Sequence, residues 1–249
     1  MRGGLEKPSP PNARLFSSPR QGLSPPPDSR GSVDAALHAY EKLAERFGAQ
    51  HWWPAEGRFE VIVGALLMQQ TTWRNVATAI ANLKRAGLLS PAEIANASIP
   101  ELRRHVRIAG LYRSKPRRLK RFCQRLMEFG GDLDRFFRRD VRLVREDLLA
   151  QEGVGPETAD SILLYASDTP TFLVDAYTVR IARRLGWIAT DTYEEVKAWF
   201  EARLPRDLPL YREYHALLVA HGKEICRPRP RCAVCPLNDT CAYYRTGRP

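Results

Sequence analysis

From Val33 onward almost every stretch of this chain repeats its apolar residues at helical spacing, and alternating strand patterns are almost absent. The breaks carry the residues that stop and start helices. VDAALHAYEKLAERFG ends at Gly48, and NVATAIANLKRAG ends at Gly87, both suited to close a helix in a left-handed turn. Ser90 and Ser98 each stand one or two residues before a proline and read as N-caps. FEVIVGALLMQQ is apolar all round and reads as a buried helix through residue 70. Further helices are predicted in PRRLKRFCQRLMEFG, VRLVREDLLA, PETADSILLYA, AYTVRIARRLG, TYEEVKAWFEARL and LYREYHALLVAHG. The expected fold class is therefore all-α, with around ten short helices.

Residues 1–32 break this pattern. They are rich in Pro, Ser, Gly and Arg, lack apolar periodicity, and are expected to form a disordered arm. The whole chain has 249 residues and a formal net charge of +11; without the arm the remainder still carries +8. A charge of that size on the folded part points to a polyanionic partner, most economically nucleic acid. No apolar run approaches the length of a membrane span, so no membrane partner is expected. Nothing at the N-terminus reads as a secretory signal, and a cytoplasmic location follows as the expectation.

Four of the five cysteines crowd together as Cys226-x5-Cys232-x2-Cys235-x5-Cys241, in loop sequence broken by Pro228, Pro230 and Pro236. In a reducing compartment this pattern indicates a metal rather than two disulfides. Spacing alone leaves zinc and an iron–sulfur cluster both open, since only one C-x2-C pair is present. Arg227, Arg229 and Arg231 place positive charge on the same loop. Cys123 lies in a helical pattern and is read as packing.

Two further segments can carry chemistry. Gly153-Val154-Gly155 turns the chain between two helices, and Pro156 restarts the helix at its first turn. Such a helix start is an anion site suited to a DNA phosphate, or an ordinary capped turn. Twenty residues on, Asp175 follows the apolar residues Phe172, Leu173 and Val174 and precedes a helix, so it is either an N-cap or a partly desolvated catalytic carboxylate. Between Arg103 and Arg125 there are ten Lys or Arg residues and no acid.

GVGPETA, then VDAYTVRIARRLG, then HGKEIC and the cysteine loop together resemble the helix–hairpin–helix DNA glycosylases of the endonuclease III family. MQQTTW, from Met68 to Trp73, resembles that family's Gln-rich turn, and the likeness runs from about residue 33 to the C-terminus. It implies two helical domains with duplex DNA and the active-site cleft between them, residues 60–165 forming one and residues 33–59 plus 166–249 the other. It implies a [4Fe–4S] cluster on Cys226, Cys232, Cys235 and Cys241, although the first gap is five residues where typical members have six. Asp175 matches the catalytic aspartate, and Gln70 the wedge that fills the hole left by a flipped base. Arg113 and Lys115, in GLYRSK, match a loop that contacts DNA, and the arginines at 227, 229 and 231 are expected beside them on phosphate.

One departure bears on the chemistry. Glu157 stands where bifunctional members carry the lysine that forms a Schiff base, and a carboxylate cannot form that imine. Glu157 can instead place or deprotonate a water. The 3-methyladenine glycosylases on this fold show a similar Trp52-Trp53-Pro54 segment, a bulky aromatic at the place of Trp73, glutamate in place of the lysine, and a lysine like Lys223. The expectation is a monofunctional glycosylase, acting as a monomer on double-stranded DNA containing alkylated purines. Excision of oxidised pyrimidines or of mismatched uracil or thymine is the rival on the same scaffold. A non-catalytic DNA-binding protein is the rival of another class.

Overall fold

The computed structural model describes residues 33–247, with side chains from residue 35, so the arm expected at 1–32 lies outside the described residues. Among them there is no strand, and thirteen α-helices follow one another. In chain order these are α1 (Val33–Phe47), α2 (Arg58–Leu67), α3 (Trp73–Arg85), α4 (Pro91–Asn96), α5 (Ile99–Val106), α6 (Lys115–Met127) and α7 (Leu133–Phe137). Then come α8 (Val141–Leu149), α9 (Pro156–Ala166), α10 (Ala176–Leu185), α11 (Tyr193–Glu201), α12 (Leu208–Glu224) and α13 (Ala242–Thr246). The count exceeds the expected ten because α7 and α13 are single turns too short to show a period.

The caps read from sequence are made. Ser90 Oγ accepts from the Glu93 N–H at 3.1 Å and Ser98 Oγ from the Glu101 N–H at 3.2 Å. Gly48 and Gly87 take φ of +66° and +67° beyond α1 and α3. Two boundaries differ from expectation. Helix α2 stops at Leu67 and frees 68–72 as a turn, because Thr72 caps α3 by accepting from the Asn75 N–H. Helix α12 runs through Gly222 to Glu224, so Gly222 is a buried helical residue and no terminus.

Helices α2 and α9 are the two central rods, packed on each other. Val61–Leu67 and Thr158–Ala166 are buried without a break, which is why neither shows an amphipathic stripe. Around α2 gather α3 and α6, with α4 and α5 on α6. On the other side α12 packs on α1 and α10, and α10 on α13, while α9 touches α2, α8 and α12. A buried knot fixes α9: Asp160, fully enclosed, accepts from Arg145 Nε at 2.8 Å, Tyr193 Oη at 2.9 Å and Lys197 Nζ at 3.0 Å. That ties α8 and α11 to the helix on whose first turn Glu157 sits. An unpaired carboxylate there would cost several kcal/mol, so three donors converge on it.

Candidate active site

The extended segment Phe172–Val174 is buried and threads the core, delivering Asp175 to the start of α10. Asp175 is itself buried, and its Oδ1 accepts from the Thr178 N–H at 2.8 Å and the Thr178 hydroxyl at 2.9 Å. Its Oδ2 faces His215 Nε2 across 3.7 Å, an electrostatic contact longer than a formed hydrogen bond. Burial by itself would raise the Asp175 pKa. His215 and the two Thr178 donors outweigh burial and hold the carboxyl below its ordinary value. Asp175 is thus both readings at once: an N-cap, and a desolvated carboxylate held ionised.

Glu157, in the first turn of α9, has its pKa pushed up to about 7 by the surrounding protein and by the negative charge of Asp175. Its side chain keeps a solvent-exposed face, and water there moderates the effect. The two carboxyl groups are thus shifted in opposite directions, Asp175 downward and Glu157 upward.

Beside them is an aromatic cage. The ring centroids of Trp52 and Trp53 lie 5.5 Å apart, Trp53 and Trp73 5.5 Å, Trp52 and Trp73 6.1 Å, and Trp53 and Tyr165 5.4 Å. Gly64 lets Trp53 lie on α2, since a Cβ there would sit 3.2 Å from Trp53 Cζ2. Lys223 Nζ stands 5.8 Å from the Trp52 ring centroid, and Pro54 is exposed at the rim. Trp52, Trp53 and Tyr165 line an open pocket of about 550 Å³ with Arg58, Asp168 and Arg212.

The hairpin residues separate into different roles. Gly153 has φ +77°, which favours glycine, and a Cβ on it would fall 2.1 Å from Arg118 Nε and push that side chain aside. Gly155 has φ −94° and open space where its Cβ would be, so its conformation suits any residue. No side chain caps α9 at Gly155, which leaves that helix start for an anion. Val154 corrects the expectation: it is buried, its N–H bonds Gln151 O, and its side chain belongs to the core.

Lys115 is a second correction. Only 1% exposed, its ammonium donates to Gln69 O and Ala109 O, both at 2.6 Å, and presents nothing to a phosphate. Burial, then the neighbouring Arg118 charge, lowers its pKa to about 8. It fastens the Gln70 turn to the Leu111–Tyr112 turn. Gln70 is exposed at φ +52° and Leu111 at φ +43°, left-handed conformations that side chains adopt at some cost and that gather at functional sites. Gln69 completes the clamp, donating to Gly153 O at 2.5 Å and accepting from Arg118 Nη1 at 2.7 Å. Part of the basic stretch is likewise engaged within the chain: Lys120 donates to Ala97 O, Arg125 pairs with Asp147 and Glu128, and Arg121 pairs with Glu152 at the surface. Arg104, Arg107, Arg113 and Arg117 are exposed.

Cys226, Cys232, Cys235 and Cys241 line one small apolar cavity together with Ile181, Leu185, Ile225, Leu237 and Tyr243. Arg184 Nη1 donates to Cys226 Sγ at 3.3 Å, and Arg180 Nε to Cys226 O at 2.9 Å, bracing the loop from α10. Among the described residues no three such side chains close on a point within reach of a single ion. Four thiols around one apolar space are the donor set of a four-iron cluster, which takes one thiolate on each iron. Arg227, Arg229 and Arg231 are exposed on the loop's outer side.

His215 and Tyr165 were missed in the sequence. Their only signal was a lone histidine on an apolar helix face and a tyrosine at the end of another, and neither announces a partner across the fold.

A helical core with a hairpin, a buried aspartate at a helix start and a four-cysteine loop defines a class, and comparison with known proteins gives it a name. Residues 63–206 match the family described as HhH-GPD superfamily base excision DNA repair protein. A Methanocaldococcus jannaschii protein named as a DNA repair glycosylase is 46% identical, over 81% of this chain and 93% of that protein. Endonuclease III of Sulfolobus acidocaldarius is 32% identical, over 75% of this chain and 82% of its own length. The H. pylori 3-methyladenine DNA glycosylase solved with 1,N6-ethenoadenine is 27% identical and superposes with a TM-score of 0.68, covering 78% of this chain and 98% of that one. The chain belongs to the HhH-GPD superfamily of base excision DNA repair proteins, among its endonuclease III-like DNA glycosylases.

Proposed function

We propose that this protein is a monofunctional DNA glycosylase that excises alkylated purines, of the 3-methyladenine type, from damaged duplex DNA. The observation that carries the reading is Glu157, a carboxylate coupled to Asp175 at the place where an imine-forming lysine would stand. The target nucleotide must leave the stack to be reached, and exposed Gln70 is placed to enter the gap. Methylation at N3 or N7 makes a purine cationic. Stacking such a base on Trp52, Trp53 or Trp73 is favourable by about 0.5–2 kcal/mol per contact. Ionised Asp175 stabilises positive charge developing on the sugar as the glycosidic bond lengthens, and Glu157 takes the proton of the attacking water. The hairpin at Gly153–Gly155, Arg113 and the arginines at 227, 229 and 231 hold phosphates, so affinity falls steeply with salt.

Cys226, Cys232, Cys235 and Cys241 would hold a [4Fe–4S] cluster, whose four iron–thiolate bonds fasten the arginine-bearing loop when it is bound. Iron and acid-labile sulfide analysis of the purified protein checks this directly. One protein molecule suffices for one lesion.

The test is release of free bases from methylated duplex DNA. Release of 3-methyladenine, with strands intact until alkali is added, is the expected result. Asp175→Asn should abolish release and keep DNA affinity; a pure DNA binder has no turnover to lose. A second reading, glycosylase with lyase activity, is favoured by the exposed Lys223 amine beside Trp52. Borohydride trapping on abasic DNA decides between them, since only an imine gives a covalent product. Activity on thymine glycol or a mismatch, with none on methylated DNA, would overturn the substrate assignment.

A further inference from the structure

Behind Asp175 the fold buries a hydrogen-bonded pair, His215 and the hydroxyl of Tyr165, whose polar contacts neither hairpin, cage nor cluster uses. His215, on α12, is 5% exposed, and Tyr165, on α9, is 6% exposed. The Tyr165 hydroxyl lies 2.8 Å from His215 Nδ1 and 3.2 Å from the Arg212 carbonyl oxygen. The opposite ring nitrogen, Nε2, faces Asp175 Oδ2 at 3.7 Å. The ring of Tyr165 in turn lies 5.4 Å from that of Trp53 in the cage. A chain of side chains therefore runs from the aromatic pocket to the carboxylate.

The ionised Asp175 carboxylate can only accept, so the ring nitrogen facing it carries the hydrogen. That leaves Nδ1 as the acceptor of the neutral ring, and the Tyr165 hydroxyl is the donor within reach of it. The opposite tautomer, with Nδ1–H donating to Tyr165 and the hydroxyl to the Arg212 carbonyl, would satisfy the pair but aim a nitrogen lone pair at the carboxylate, and the charge of Asp175 disfavours it.

We propose that His215, held by Tyr165, is a positioning residue for Asp175: it keeps an N–H aimed at Oδ2, and with Thr178 on Oδ1 it fixes the plane of the carboxylate. The contact is long in the free protein and shortens when charge develops on the sugar, as catalytic hydrogen bonds do. This rests on reading Asp175 as the catalytic carboxylate, so the experiment carries that reading as its own control.

Base release is measured in single turnover on whichever lesion duplex the protein processes, with methylated DNA first, then thymine-glycol and G·T duplexes. DNA dissociation constants and melting temperatures are measured alongside. His215→Leu should slow release about 10- to 100-fold, the range for one lost hydrogen bond to a charged group, with DNA affinity within about twofold. His215→Gln, whose amide can still offer an N–H, should recover a large part of the rate. Tyr165→Phe, which frees the imidazole to change tautomer, should slow release several-fold at unchanged affinity. If Asp175→Asn releases base at the wild-type rate, the reading of Asp175 fails. If Asp175→Asn is inactive while His215→Gln and Tyr165→Phe both match wild type and a folded His215→Leu does too, the positioning role fails. Should His215→Leu not fold, the Gln and Phe variants decide: Tyr165→Phe slow with His215→Gln largely active supports the proposal, and any other pairing overturns it.

Discussion

Gly222→Ala sets two effects of known size against each other. Inside a helix, replacing Gly by Ala is worth about 1 kcal/mol of stability through backbone entropy. Gly222 lies in α12, and on propensity alone the variant should be the more stable protein. The packing says otherwise. A Cβ at 222 would sit 2.4 Å from Tyr177 Cδ1 and 2.9 Å from Tyr177 Cβ and Cγ, where carbon atoms prefer roughly 3.5–4.0 Å. The ring could swing away, but Tyr177 Cβ is fixed to the backbone of α10 and cannot. Overpacking of this kind costs typically about 1–3 kcal/mol, and contact with an immovable atom places it in the upper half. The net expectation is a loss of about 1–2 kcal/mol, or a fall in Tm of roughly 2–8 °C for a chain of this size. Function should suffer more than stability. Arg180 Nη2 donates to Gly222 O at 3.0 Å, and Asp175 begins the helix that has to move. A displacement of about 1 Å at a catalytic group can cost about 100-fold in rate. Urea unfolding with single-turnover base release measures both. A variant as stable as wild type or more so, with unchanged turnover, would refute the reasoning and show that helix propensity outweighs a loose α10–α12 contact.

Gly153→Ala should destabilise by about 1–2 kcal/mol from the left-handed backbone alone, whereas Gly155→Ala should leave the free protein within about 0.5 kcal/mol of wild type and weaken DNA binding; equal effects of the two on unfolding would contradict the assignment. Asp160→Ala strands Arg145 and Lys197 and should cost about 3–5 kcal/mol in urea unfolding, and a loss under 1 kcal/mol would mean the knot is not fully desolvated. For Glu157 the folded pKa is raised, so the folded state binds the proton more tightly. Its contribution to stability is present below pH 4.5 and is lost as pH rises toward about 7. Glu157→Gln should therefore gain on wild type in urea midpoint between pH 4.5 and 8, and parallel curves would show that solvent screens the carboxylate completely.

The all-helical class was legible because a helix is a local object. Apolar spacing, Ser90 and Ser98, and the closing glycines at 48 and 87 act within a few residues of themselves, and the structure makes each of them. The cysteine loop was legible for the same reason, since sixteen residues of chain hold all four thiols. Asp175 and Glu157 stand out in sequence only through the motifs that carry the family resemblance, and by itself the segment around Asp175 reads equally as a helix cap.

Tertiary structure decided what each side chain is for. Lys115 and Val154 stand in motif positions that suggest DNA contact, yet both are buried, one satisfying two carbonyls and the other filling the core. Five of the ten basic residues in 103–125 spend hydrogen bonds or ion pairs on partners within the chain, Arg121 at the surface and the others partly or wholly buried, which no count of charges reveals. Gly64 and Gly222 lie inside helices at the places where Trp53 and Tyr177 pack close. His215 meets Asp175 forty positions away in the chain and Tyr165 fifty positions away. Sequence determines local conformation and chemical inventory because those depend on neighbours in the chain; burial, ionisation and partnership depend on neighbours in space, and only the packing of α9, α10 and α12 supplies them.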